Sequence, residues 1–240
     1  MTDPFNAGSG APDRKQVPSG PGSRRTLTWL VLGSLFFGGV LAVVKGQGGA
    51  GLTQLDGLRT YVGNISAPWL VLPLLAGSLT PRFLRAAALG LLSTMIALVA
   101  FYGVTAATIT VDGHGFLGSW VTWASAGRGY VEGGLLSGPL LGALGAWWAR
   151  RPRPGGLLLP AGVLLIGEPL VLLTMGALFD GAPEPGRLPT VLRLLPGFGI
   201  GPETDGVRLL VYVVEAVFGL AVLVVGLRLW RHETHDRQAA

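Results

Sequence analysis

Two glutamates, Glu168 and Glu215, lie well inside apolar stretches long enough to cross a membrane. An ionised, unpaired carboxylate costs roughly 3 kcal/mol at the centre of a bilayer. Each must therefore face the protein interior, carry a proton or find donors. Glu168 follows Leu157 by eleven residues, about 16 Å of helix, and Glu215 follows Val207 by eight, about 12 Å. Matched depth on consecutive segments points to a shared interior space. Pro169 removes the hydrogen bond to the Leu165 carbonyl and leaves a free acceptor beside Glu168. Carboxylates next to interrupted helix backbone form the proton and cation sites of many transporters. The competing reading is an acid that only hydrogen-bonds a neighbouring helix and holds a bundle together.

Other polar candidates surround these two. Arg208, Tyr212 and Glu215 fall at i, i+4 and i+7, one helical stripe in which Tyr212 would bridge the arginine to the acid. Arg128 and Glu132 are four apart and can pair on one helix face, a structural expectation. Asn64 stands at the mouth of the second apolar stretch. Gly134, Gly138 and Gly142 repeat every four residues, with Gly145 beyond. Small residues at that spacing let helix backbones approach closely; a substrate path is the functional alternative. Gly219 and Gly226 are expected to form the complementary groove.

The elements that must position these groups are membrane-spanning helices. Half of the residues are hydrophobic and 13% are charged, against about 25% charged in soluble proteins. Six apolar stretches occupy residues 26–44, 65–79, 86–109, 130–148, 157–179 and 207–230. Most are close to the ~20 residues that cross a hydrocarbon core, and backbone in lipid must satisfy its own hydrogen bonds. The fold class is all-α, a polytopic bundle of six transmembrane helices. The second stretch is short and is expected to extend back through Tyr61 and Asn64. Residues 1–25 read as a disordered tail, 26–231 as the membrane domain and 232–240 as a second tail. Ser23-Arg24-Arg25-Thr26-Leu27 also looks like a twin-arginine export signal, but with five spans downstream an uncleaved anchor is the better reading.

Basic residues orient the chain. With the N-terminus inside, Arg14, Lys15, Arg24, Arg25, Arg82, Arg85, Arg150, Arg151, Arg153, Arg228, Arg231 and Arg237 are cytoplasmic. Only Lys45, Arg59, Arg128, Arg187, Arg193 and Arg208 are external, the asymmetry of a protein with both termini cytoplasmic. Short turns then make spans two and three, and spans four and five, antiparallel neighbours. Phe116, Leu117, Trp120, Val121 and Trp123 recur at helical spacing in a segment too short to span, as do residues 188–195. Both read as interfacial or re-entrant pieces, or as a lid over an outward pocket.

Several functions are excluded or weakened. The chain has no cysteine, which removes disulfide frameworks and thiolate metal sites. His114, His232 and His235 all lie outside the apolar stretches, so no metal or cofactor is expected. The arginines flank apolar segments as topology signals do, which argues against a nucleic-acid partner. The bilayer is the implied partner, with a small-molecule ligand of unknown identity or a membrane-protein partner beside it. A rhomboid-type protease would need Gly-x-Ser-Gly and a membrane histidine, whereas Ser137-Gly138 follows Leu135-Leu136. A lipid-processing enzyme built on Glu or Asp and an external arginine is the weaker alternative to a transporter or scaffold.

At Ile65-Ser66-Ala67-Pro68-Trp69-Leu70, Gly138-Pro139-Leu140-Leu141-Gly142-Ala143-Leu144-Gly145, Gly167-Glu168 and Glu215-Ala216 the chain resembles a family of uncharacterised multi-pass membrane proteins of high-GC Gram-positive bacteria. The resemblance covers roughly residues 51–230. It implies a six-helix protein of the bacterial plasma membrane and carries no activity with it. In size and topology the chain also looks like the membrane-embedded substrate-binding subunits of vitamin uptake systems, a likeness at the level of fold alone.

Overall fold

The structure, a computed structural model, describes residues 22–45, 67–111, 113–150, 156–178 and 206–239, with positions 59, 62 and 65 between the first two segments. Positions 22–24, 171–178, 208 and 232–239 are described by their backbone alone. All regular structure among these residues is helical: α1 (Gly22–Lys45), α2 (Ala67–Ser78), α3 (Phe83–Thr108), α4 (Phe116–Ala126), α5 (Arg128–Ala149), α6 (Leu158–Leu178) and α7 (Gly206–Ala239). Three helical segments, Arg25–Lys45, Phe83–Thr108 and Leu209–Arg231, are long and apolar enough to cross a membrane. Their outward faces are apolar, with Trp29 and Phe36 on α1 and Val217 and Phe218 on α7 all exposed. In lipid such a surface carries no penalty.

α3 is the centre of the larger group of helices and packs against α1, α2, α4 and α5. Its buried serine and threonine hydroxyls are satisfied within the helix. Ser93 and Thr94 donate to the Gly90 carbonyl at 2.9 and 3.0 Å, and Thr105 donates to the Phe101 carbonyl at 2.8 Å. These back-bonds let polar residues sit in an apolar environment without orphaned donors. α2 and α3 are antiparallel across the tight 79–82 turn, where Pro81 ends helical continuity. Arg150, just past α5, pins that turn: its Nε donates to the Pro81 carbonyl at 2.9 Å and its guanidinium lies 4.0 Å from the Phe83 ring centroid.

The glycine stripe of α5 is the contact surface for α3 and α2. A Cβ at Gly138 would meet the Leu91 backbone at 3.0 Å, and one at Gly142 would overlap the Ala86 carbonyl. Gly145 faces the Leu74 carbonyl of α2, and a Cβ at Gly134 would touch Met95 and Thr94 side chains at 3.0 Å. The surfaces opposite this stripe contain glycines too: Gly90 on α3 and Gly77 on α2 both approach Gly142.

Three sequence expectations are corrected here. First, Gly219 and Gly226 do not complement α5. They face Leu165–Ile166 and Leu158–Leu159 of α6, and Gly162 of α6 faces Leu223 in return. Second, the fourth and fifth apolar stretches, α5 and α6, are not packed side by side among the described residues: α6 packs on α7 and touches α2. A short connection limits the distance between helix ends but does not force two helices to lie together. Third, the second stretch does not run back from Ile65 as one helix. Arg59 and Val62 are helical and Ile65 is not, so α2 starts only at Ala67. Boundaries also move: α1 begins at Gly22 rather than 26, and α7 continues helically to Ala239 through the expected tail. Residues 1–21 and 188–195 lie outside the described residues.

Candidate functional site

The α6–α7 register brings the two glutamates together. The helices run antiparallel, and glycines on both let the backbones approach closely. Leu158–Leu159 lie opposite Gly226, and Leu165–Ile166 lie opposite Gly219. One further turn along α6, and one turn back on α7, sets Glu168 opposite Glu215. The side chains are within hydrogen-bonding reach of each other. Glu215 is only 5% exposed.

Glu168 has a second partner from across the molecule. The backbone N–H of Ala67, the first residue of α2, donates to Glu168 Oε2. Ala67 is fully buried. The first N–H groups of any helix lack intrahelical acceptors, and the helix dipole favours an anion there. Depth explains the meeting. Ala67 lies eleven residues from the Ser78 end of α2, and Glu168 ten from the Leu158 end of α6, about 15–16 Å each at 1.5 Å per residue. The chain break before α2 therefore leaves a helix start partway along the bundle, level with the carboxylate. Pro68 fits that position, since a proline in the first turn sacrifices no intrahelical bond.

Glu215 is treated differently. Neither of its oxygens meets a donor among the described residues, although Glu168 stands beside it. Two carboxylates have no hydrogen between them, so a hydrogen bond crosses the pair only when one carries a proton. The site therefore consists of one acid supplied with a backbone donor and one supplied with none among the described residues.

Tyrosines connect the pair to the α4–α5 junction. Of four in the chain, Tyr130 near the start of α5 lies within electrostatic range of Glu168, Tyr102 and Tyr212. Tyr212 is buried one helical turn from Glu215. Tyr102 donates to the Gly127 carbonyl at 3.1 Å and so ties α3 to the α4–α5 junction. Above them Trp120 and Trp123 of α4 pack against the core of Ala42, Leu98, Phe101 and Tyr102. Trp123 Nε1 donates to the Ile109 carbonyl at 3.0 Å, and Ser119 Oγ accepts from the Val111 N–H at 3.0 Å. α4 is thereby fixed over the tyrosines with Phe116, Leu117 and Val121 turned outward. Edge-on ring contacts from Phe37 through Trp69 and Phe101 to Tyr102 hold the start of α2 against α1 and α3.

Other sequence candidates fall away from this cluster or outside the described residues. Glu132 pairs with Arg128, Nε to Oε1 at 2.6 Å, near the α4 end of α5. The Arg208 side chain and Asn64 lie outside the described residues. Gly134, Gly138 and Gly142 line a helix contact and not the acid pair. Sequence reasoning missed the Ala67 N–H, Tyr102 and Tyr130. Ser66-Ala67-Pro68 was the available signal for a helix start, and the rarity of tyrosine was the signal for the other two.

Against known proteins, the chain matches no family model, no curated protein and no solved structure.

Proposed function

We propose that this chain is a transport protein of the bacterial plasma membrane, moving a small molecule or ion or serving as the membrane-embedded substrate-binding subunit of such a system. In this reading it spans the membrane six times with both termini cytoplasmic. The 79–82 turn lies on the cytoplasmic side and α4 on the external side. The arginine asymmetry supports that orientation, as does the resemblance to multi-pass proteins of high-GC Gram-positive bacteria.

One observation carries the functional part: a buried carboxylate without a donor, in contact with a second carboxylate, at mid-depth between a broken helix and a proline-interrupted one. Ionisable groups placed so deep are expensive to keep and mark ion or proton pathways. The interrupted backbone around them is the arrangement in which transporters bind coupling ions. The alternative, a non-transporting scaffold, is favoured by the Ala67–Glu168 bond taken alone, which would hold α6 to α2 with no ligand at all.

The two readings separate in proteoliposomes with a trapped pH-sensitive dye, under imposed proton gradients and with a panel of metabolites. Transport predicts flux that Glu168→Gln and Glu215→Gln abolish while thermal unfolding of the purified variants stays intact. Absence of flux under every gradient and metabolite, together with a stably co-purifying membrane protein, would establish the scaffold instead.

A further inference from the structure

Building on the transport reading, we infer that the acid pair is asymmetric and takes a proton: Glu215 is the carboxyl that loads and releases it, and Glu168 is the fixed anion that holds it. The α2 start supplies Glu168 with a backbone donor, and an anion at a helix N-terminus is stabilised by aligned backbone dipoles. Glu215 has no such donor among the described residues and is 5% exposed. A proton on Glu215 supplies the missing hydrogen. Glu215 O–H then donates to Glu168, whose second partner is the Ala67 N–H, and every hydrogen-bonding need in the pair improves at once.

The donor set argues for a proton over a metal cation. Hard divalent cations take six or more oxygen ligands. Here the described residues hold no group of three or more acidic or histidine side chains that could bind a metal, and one Glu168 oxygen is engaged by backbone. A proton needs only two oxygens. The titratable groups on the surrounding elements are Glu168 from α6, Tyr212 from α7 itself, and Tyr130 and Tyr102 on the α4 side. Of these only Glu168 is a carboxyl group. Tyr130 lies within electrostatic range of Glu168 and of Tyr102, whose hydroxyl reaches the α4–α5 junction, so in the proposed orientation the proton arrives from outside.

Protonation can be read without transport. An apolar carbodiimide such as dicyclohexylcarbodiimide adds a protonated carboxyl across its C=N bond and leaves a stable acyl urea. Purified full-length protein labelled at a series of pH values and mapped by mass spectrometry should carry the adduct on Glu215, declining as pH rises. Glu215→Gln should reduce labelling at the pair to background. Glu168→Gln should keep labelling at Glu215 with an altered pH profile, because its amide now offers a donor. Thermal unfolding confirms that each variant is folded. Adduct on Glu168 in the unsubstituted protein overturns the asymmetry, and so does absence of adduct at both positions at every pH. Protection by sodium or potassium at fixed pH overturns the proton in favour of a metal cation. Labelled Glu215 in a protein without flux would refute transport and leave the asymmetric pair standing; flux without labelling would do the reverse.

Discussion

Gly142→Ala should destabilise the bundle although it replaces glycine by the best helix former. In an exposed helix the exchange gains about 1 kcal/mol. At position 142 the new methyl would overlap the Ala86 carbonyl and lie 3.1 Å from the Gly90 Cα, both backbone atoms of α3 that cannot rotate away. Gly77 of α2 closes on the same residue from its other neighbour, with its own Cβ position 2.5 Å from the Gly142 Cα. α3 would have to withdraw by roughly 1 Å, a gap that forfeits a quarter to a half of each dispersion contact along the interface. Overpacking of this kind costs about 1–3 kcal/mol and more where backbone is hit. The net expectation is a loss of about 1–2 kcal/mol, or a transition lowered by about 2–8 °C for a chain of this size. Gly103→Ala, in α3 with nothing within 4 Å of its Cβ position, is the control and should stabilise by about 0.4–1 kcal/mol. Thermal unfolding of both variants in one detergent measures the difference. Equal shifts, or a Gly142→Ala protein as stable as its parent, would refute the close approach of α5 to α3.

Two further tests bear on the site and its orientation. Glu168→Leu leaves the buried Ala67 N–H without an acceptor and should cost about 1–3 kcal/mol, whereas Glu168→Gln keeps an acceptor and should unfold within about 1 kcal/mol of the parent; similar unfolding of the Leu and Gln variants would remove the helix-start bond from the account. The chain has no cysteine of its own, so Gly115→Cys, with open space around its Cβ position, should react with an impermeant maleimide in intact cells. Leu79→Cys, exposed at the opposite turn, should react only after lysis, and the reverse pattern would invert the topology.

Helix content was legible because apolar runs of membrane length leave backbone no other way to satisfy itself. Depth was legible for the same reason: counting residues at a fixed rise set Glu168 and Glu215 level before any contact was known. What sequence could not supply was the partner of each face. Gly134, Gly138 and Gly142 signal close packing without saying against what, and the answer, Ala86 and Gly90 on α3 and Gly77 on α2, lies on helices whose own small residues name no partner either. Gly219 and Gly226 carried the same ambiguity, and the assignment to α5 failed because glycine is complementary to any close helix. The break before Ala67 was hidden for a different reason. Its flanking residues are apolar enough to read as a continuous span, and only Ser66-Ala67-Pro68 marks a start.

The helix-start bond at Glu168 does not compete with a functional reading of the pair; it sharpens it. Two equivalent buried carboxylates would share a proton without preference, as like charges a few ångströms apart cannot both stay ionised at low cost. A donor fixed to one of them removes the symmetry. Here the donor comes from a helix that starts partway along the bundle, and the aromatic contacts of Trp69 with Phe37 and Phe101 hold that start in place. The α6–α7 pair meets the rest of the bundle through α2 and through the Trp148–Trp230 ring contact, 6.5 Å between centroids. The acid pair thus lies at the seam between the two groups of helices. Whatever loads Glu215 changes a repulsive contact into a bonded one at that seam, and a ligand can shift a conformational equilibrium only through such a difference in interaction.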